Sequence, residues 1–363
     1  MASATNSSGM RIRNEKIILT LINKEPISRA DIAKKTGLTK AAVTIIAEDL
    51  IKRGILTEEI SDSFVKVGRT PILLKLRRDS AYIVGVNIKR TGISVGMCGL
   101  CGDIIFEDTL PLSDPHNSVE SIRHSIEKNL SVQNVPKEKI YCISVVTPGP
   151  VDTENGVILN PPNFDAWHGF GICEKLRYCT DIPVILSNVS SATTVAEKYF
   201  GAAKKSDSFM TLTADEGIGS GIMMGDNLFR GSCEIGHISV KYDGERCECG
   251  NVGCLEKYAS MPKLLKGTKY KSWSECTAAG DMAIMSREAE YLSTAIVTVA
   301  NIFNIDCAVL CGELTGNADS FVSLVRSKTL CKMILKKDFT ILPGSIRSMT
   351  LIACAPGVHA FLS

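Results

Sequence analysis

The 363-residue chain has no uninterrupted apolar run near the ~18 residues that a membrane-spanning helix needs. Its polar N-terminus also lacks the apolar core of a secretory signal, so the expected location is the cytoplasm, with no membrane partner. Missing too is a strong net charge, since 41 Lys and Arg stand against 39 Asp and Glu. That balance hides an asymmetry: residues 1–80 hold 15 basic and 9 acidic side chains, and the remainder is mildly acidic. A small basic head on an acidic body points to a polyanion partner for the head. The disulfide framework of an exported protein is absent as well. Most of the 14 cysteines stand singly in apolar runs, as in Tyr141-Cys142-Ile143 and Leu310-Cys311-Gly312, where a thiol serves as a small buried hydrophobe in a reducing compartment.

One stretch departs from that pattern. Glu234-Ile235-Gly236-His237 is followed by Cys247-Glu-Cys249-Gly-Asn-Val-Gly-Cys254-Leu-Glu256, so one imidazole and three thiols fall within eighteen residues, interleaved with glycines. His237, Cys247, Cys249 and Cys254 make a closed Cys3His set, which suits a tetrahedral structural Zn2+ and leaves no open position for catalysis. The plainer alternative is a cysteine-rich loop in a cysteine-rich chain.

The length predicts two or three compact units. Residues 1–10 are polar and expected to be disordered, and residues 11–78 read as a DNA-binding head. Ile17, Ile18, Leu21 and Ile22 recur at helical spacing until Glu25-Pro26, where proline stops the helix. Ser28 caps a second helix that ends at Gly37, and Thr39 caps a third with Val43, Ile46, Leu50 and Ile51 as its buried stripe. Three such helices with a short glycine turn match a helix-turn-helix, whose last helix enters the major groove of duplex DNA. Ser28, Thr39, Lys40, Ala42 and Thr44 are the candidate DNA contacts on these helices, with Lys40 and Thr44 for polar groups and Ala42 for a thymine methyl. Ile55-Leu56-Thr57-Glu58 and Ile72-Leu73-Leu74-Lys75-Leu76 read as the strands of a wing, with Arg69 between glycine and proline as a further DNA contact. A helical bundle that binds protein, and a plain surface turn at Arg69, are the competing readings.

From Ala81 onward the pattern is α/β. Residues 79–194 form a first lobe, 195–345 a second that carries the metal set, and a segment over about 346–363 packs back on the first. Each series opens with a glycine-rich hairpin, and a cleft between two lobes is expected.

The order of Thr147-Pro-Gly-Pro-Val-Asp152, Pro162-Asn-Phe-Asp-Ala-Trp167, Gly217-Ile-Gly-Ser-Gly221 and the metal motif resembles the ROK family of bacterial sugar kinases and sugar-responsive repressors. The head, with Pro26-Ile-Ser-Arg-Ala-Asp-Ile-Ala33 and Gly68-Arg-Thr-Pro71, is similar to the winged helix-turn-helix of that family's repressors. The resemblance implies a two-lobed actin/hexokinase-like (ribonuclease H-like) body that takes a sugar between its lobes. It also implies that Asn163, Asn188, Glu234, His237 and Glu256 are the sugar-binding positions.

Against the family's kinases, three positions argue for a sensor without catalysis. The catalytic base follows an asparagine in kinases, but here that place is Val189, and loss of a base costs ~10²–10⁴ in rate. The first phosphate loop, Asp-x-Gly-Gly-Thr in kinases, is Asn87-Ile-Lys-Arg-Thr91, whose long side chains block close backbone approach. The second begins with Asp215-Glu216, which sets carboxylates where phosphates would lie. The expectation is a repressor of sugar-utilisation genes, a homodimer or dimer of dimers, bound to an operator and released by a sugar or sugar phosphate. Lys89 and Arg90 would meet a sugar phosphate or simply face solvent. An active ATP-dependent kinase with an unusual base, and a constitutive DNA-binding protein whose body only dimerises, are the rivals.

Overall fold

The computed structural model describes residues 7–60, 71–229, 233–315, 318–334 and 339–363. The head begins with helix α1 (Ser7–Lys24), strand β1 (Ile27–Ser28), helix α2 (Arg29–Thr36) and helix α3 (Lys40–Lys52). Residues 7–10, expected to be disordered, are part of α1. Arg11 pairs with Asp49 at 3.2 Å and Glu15 with Arg53 at 2.8 Å, so α3 supports the start of α1 where local propensity alone would fray. Glycine at position 37 ends α2 because the chain turns there with φ 74°, a conformation glycine takes at low cost. Val43, Ile46, Ala47 and Leu50 form the buried stripe of α3. Strands β2 (Leu56–Ile60) and β3 (Ile72–Leu76) pair antiparallel, and β1 adds to the far edge of β3 through Ile27 opposite Leu74. A two-residue strand such as β1 carries no readable periodicity.

The chain divides into two units, Met1–Asn188 with Ser348–Ser363, and Val189–Arg347. In the first, the head is followed by β4 (Tyr82–Lys89), β5 (Gly92–Gly99), β6 (Ile104–Leu110), α4 (Pro115–Val132), β7 (Ile140–Thr147), the short pair β8 (Val151–Asp152) and β9 (Val157–Ile158), α5 (Ile172–Thr180) and β10 (Val184–Asn188). The main sheet has the order β10-β7-β4-β5-β6, antiparallel across β4, β5 and β6 and parallel across β4, β7 and β10. Strand β7 is buried at all but one residue, as expected for a parallel strand covered on both faces. The C-terminal helix (Met349–Leu362) lies against β4, β5 and β7. Glycines 85, 96 and 357 allow this, because a Cβ at any of them would lie 2.3–2.8 Å from atoms of the facing element. The same helix reaches the head, where the Thr20 hydroxyl donates to the Leu362 carbonyl at 3.1 Å.

The second unit repeats the plan with α6 (Val189–Tyr199), β11 (Ser208–Ala214), β12 (Ile218–Met224), β13 (Asn227–Leu228), α7 (Glu256–Ala259), α8 (Met261–Leu264), α9 (Trp273–Ala278), α10 (Met282–Phe303), β14 (Cys307–Cys311), α11 (Ala318–Lys332) and β15 (Thr340–Pro343). Its sheet runs β13-β12-β11-β14-β15, with an antiparallel hairpin β11/β12 and parallel β14 and β15. The lobe boundary expected at 194 cuts helix α6, and the whole helix belongs here. It packs on β11 and β12, and the hydroxyls of Thr194 and Thr211 lie 2.6 Å apart in the core. Met210, Leu212, Leu255, Trp273, Leu292, Ile296 and Phe321 are among the side chains that fill this core. No helix among the described residues is long and apolar enough to cross a membrane.

Candidate functional site

The metal knot is built by backbone geometry. A 3-10 turn over Ile235–His237 presents the imidazole, and Asn251 ties the turn to the following loop by donating to the His237 carbonyl at 2.9 Å. The Cys247 amide donates to the Asn251 carbonyl at 2.9 Å, and Gly250 and Gly253 take φ 94° and 70°. At Gly253 a Cβ would lie 1.6 Å from the Lys241 carbonyl oxygen, so no other residue fits that corner without moving the backbone. The ligand atoms of His237, Cys247, Cys249 and Cys254 all come within 4.8 Å of one another. Zinc bonded tetrahedrally to thiolate and imidazole sets donor-to-donor edges of about 3.6–3.8 Å. Here Cys247 Sγ is 3.7 Å from His237 Nδ1, and Cys249 Sγ is 3.7 Å from Cys254 Sγ. Burial, with the neighbouring thiols, pushes Cys254 up to about 12, whereas the Asn251 backbone N–H lowers Cys249. Three thiols at this spacing, two of them buried, need a cation to hold them ionised together, so the residues fit structural zinc.

Glu256 follows the knot directly. Its Oε2 accepts the Ile218 N–H at 2.9 Å, beneath the glycine turn that opens β12. A Cβ at Gly217 would lie 2.7 Å from that oxygen, and one at Gly236, next to His237, 3.4 Å from it. The structure therefore brings Glu256 and the Glu234–His237 turn to the same corner of the second unit. One carboxylate oxygen of Glu256, expected to serve a sugar, is engaged by backbone. Glu234 is exposed at the start of the turn, and its carbonyl accepts the His237 N–H at 3.0 Å.

Asp215, in the altered second loop, points into the turn after β14. Its Oδ1 accepts the Glu313 N–H at 2.9 Å, and its two carboxylate oxygens lie 2.5 and 2.7 Å from the place where a Cβ of Gly312 would be. Burial raises its pKa against the lowering effect of that hydrogen bond. The carboxylate thus uses a backbone donor of the turn itself.

In the first unit, Asn163 sits in the left-handed region with φ 54° and is exposed. Phe164 stacks on Trp167 with ring centroids 5.5 Å apart and 4° between planes, which gives the loop a rigid apolar base. Asn188 ends β10 opposite Thr147, and a Cβ at Gly149 would lie 3.5 Å from the Asn188 Cβ. Val189 opens α6 and is 39% exposed, with no proton to give or take. Asn87 is buried and donates to the Met349 sulfur at 3.3 Å, while Arg90 uses its Nε and Nη2 on the Pro162 carbonyl at 3.0 and 2.6 Å. The Arg90 contact was not foreseen, since nothing local in sequence links positions 72 residues apart.

On the head, Ser28 spends its hydroxyl on the cap: it accepts the Asp31 N–H at 3.1 Å and donates to the Asp31 carboxylate at 2.6 Å. Thr39 caps α3 through the Ala42 N–H at 3.2 Å, and Thr44 donates to the Lys40 carbonyl at 2.9 Å. Lys40 is exposed, whereas Ala42 is half-buried. The outward face instead carries Ala41 and Ile45, the latter 61% exposed, two residues that the stripe counting passed over. Arg69 lies outside the described residues.

A winged helix-turn-helix joined to a body of two similar five-stranded mixed sheets defines the class: a DNA-binding type of head on an actin- and hexokinase-like body. The ROK family model matches residues 83–346, and the chain belongs to the ROK family. It is 27% identical over 355 residues to the xylose repressor of Caldicellulosiruptor bescii, covering 89% of this chain and 87% of that one. It is 29% identical over 362 residues to the DNA-binding transcriptional dual regulator NagC of Escherichia coli, covering 91% and 87%. Among solved structures, a ROK family transcriptional regulator homologous to the E. coli MLC protein superposes with TM-score 0.80 at 21% identity over 97% of this chain and 96% of that one. The ROK hexokinase of Thermus thermophilus gives 0.67 at 24% identity, covering 77% of this chain and 98% of its own. The hexokinase likeness leaves about a quarter of this chain unmatched, as expected for a kinase fold without the head.

Proposed function

We propose that the chain is a sugar-responsive transcriptional repressor whose head binds a duplex operator and whose body senses a sugar or sugar phosphate. The observation that carries this reading is the head itself. Helix α3 buries Val43, Ile46, Ala47 and Leu50 on one side and turns Lys40, Ala41 and Ile45 outward, on a chain whose kinase base position is Val189. Lys40 and Thr44 are the polar candidates for groove contacts, and Thr39 and Ser28 hold the helix starts from which such contacts are made. Arg69 is a candidate contact from the wing.

For the sensing body, Asn163, Asn188, Glu234, His237 and Glu256 are the proposed sugar-binding residues. Amides both donate and accept, and carboxylates accept hydroxyl hydrogens, which suits sugar recognition. His237 would give Nδ1 to zinc and keep its Nε2–H for a sugar hydroxyl, while Cys247, Cys249 and Cys254 complete the metal set. Bound there, zinc supplies structural closure of the knot. The regulator works as a homodimer or a dimer of dimers, and sugar binding alters the spacing of two heads on half-sites about 34 Å apart. The family names of the relatives, xylose repressor and N-acetylglucosamine repressor, support a sugar as effector.

The test is selection of bound sequences from a random duplex library by the full chain, alongside an assay for ADP with magnesium-ATP and a sugar panel. The reading expects a selected, inverted-repeat sequence and no ADP. ADP formation at enzyme-like rates, with no sequence enrichment, would favour the kinase reading instead.

A further inference from the structure

The stretch Asn160-Pro161-Pro162-Asn163 has an unusual supply of hydrogen-bonding groups. Two successive prolines have no N–H, so this part of the loop offers only carbonyl acceptors and cannot anchor itself with its own amides. Donors must come from elsewhere. His168 Nε2 lies 2.9 Å from the Pro161 carbonyl. Arg90 converges on the next carbonyl, with Nε at 3.0 Å and Nη2 at 2.6 Å from the oxygen of Pro162. The residue that follows is Asn163, held at φ 54°, where side chains other than glycine are uncommon. On its other side the chain is pinned by Phe164, which is 4% exposed and stacked on Trp167.

Arg90 is itself rigidly presented. It lies in the two-residue turn between β4 and β5, closed by the pairing of Lys89 with Gly92. In the family's kinases this turn is a glycine-rich phosphate loop, and here its first residue is a forked cation. A guanidinium fork, unlike an ammonium, can direct two N–H groups at one oxygen with fixed geometry.

We infer that Arg90 is a positioning residue for the sugar response: it clamps the Pro162 carbonyl and so fixes the backbone that aims Asn163. The inference rests on the proposed role of Asn163 as a sugar contact. The former phosphate-loop position has acquired a mechanical task, and Arg90 is committed to protein instead of to the phosphate of a ligand.

The test uses the full chain and its Arg90→Met, Arg90→Lys and Asn163→Ala variants. Amide exchange over residues 163–170 is followed without ligand, and D-xylose, D-glucose and N-acetyl-D-glucosamine are titrated by calorimetry. Arg90→Met is expected to speed exchange in that segment about tenfold and to weaken the bound sugar about tenfold, with Arg90→Lys between it and wild type. Asn163→Ala is expected to weaken the sugar while changing exchange at residues 164–170 much less than Arg90→Met does. Unchanged exchange, or faster exchange with unchanged sugar affinity, in Arg90→Met would overturn the positioning role. If Asn163→Ala keeps full affinity, or wild type binds none of the three sugars, it is the reading of Asn163 that fails, and the inference falls with it.

Discussion

Glu197 offers the sharpest test of how the second unit is held. It is 1% exposed on α6, and its carboxylate accepts three backbone N–H groups: Ala202 at 2.8 Å on Oε2, and Ser345 and Ile346 at 2.9 and 3.0 Å on Oε1. The Ser345 hydroxyl lies 3.5 Å from Oε2. Gly201 and Gly344 crowd the two oxygens, since a Cβ at either would lie 2.1 and 2.9 Å away. The residues it grips end just before Ser348, where the chain returns to the first unit. In Glu197→Gln the amide oxygen can keep Ser345 and Ile346, but its NH2 then faces the Ala202 N–H. One buried donor loses its acceptor, at a cost of about 1–3 kcal/mol, and two charge-assisted bonds become neutral, adding about 1 kcal/mol. The expected loss is therefore about 2–4 kcal/mol, and Glu197→Ala, which orphans all three donors, should lose more. Urea unfolding followed by circular dichroism reads the loss as a lower unfolding midpoint. Amide exchange at residues 345 and 346 should rise in parallel in Glu197→Ala. A Glu197→Gln protein within about 0.5 kcal/mol of wild type would refute the reasoning, because it would mean that these amides find water at no cost.

Glu288 on α10 is fully buried with no hydrogen-bond partner for either oxygen among the described residues, and Arg287 beside it donates to the Leu264 carbonyl at 2.7 Å. Burial pushes its pKa well above the usual 4.5, with Arg287 opposing. An acid raised in the folded state contributes stability that is full below its unfolded pKa and is lost as pH rises toward its folded one. Glu288→Gln should therefore melt higher than wild type at about pH 8, with the difference vanishing near pH 4; equal melting at both pH values would contradict it. At the knot, wild type should carry zinc by atomic absorption, and Cys249→Ser should carry less, melt lower and respond more weakly to sugar. Zinc binding in such sites contributes on the order of 10 kcal/mol, so a folded, metal-free Cys249→Ser protein with full sugar response would break the proposed coupling of metal and ligand.

Legibility in the sequence followed the distance between partners. The convergence of His237, Cys247, Cys249 and Cys254 was readable because the four lie within eighteen residues and their glycines mark the corners at which the backbone must reverse. The head was readable from its caps, since Ser28 and Thr39 bond the amides three residues on. The outward face of α3 was displaced by one residue, from Ala41 to Ala42, because a stripe of Val43, Ile46 and Leu50 leaves the angle of its flanks open by about 100° per residue. The doubled α/β plan was legible from its two glycine-rich hairpins. What could not be read were contacts between positions far apart along the chain: Arg90 with Pro162, Asp215 with Glu313, and Glu197 with Ser345. Nor could sequence foresee that Glu256 gives one oxygen to the Ile218 amide.

The central claim, that a sugar sensed by the body controls DNA binding by the head, meets its most direct test in one measurement. An operator selected by the full chain is titrated with protein at fixed salt, with and without D-xylose, D-glucose, N-acetyl-D-glucosamine and their phosphates. The account predicts that one of these weakens operator binding at least about tenfold, and that ATP leaves it unchanged. Operator affinity that stays the same across the whole panel would contradict it.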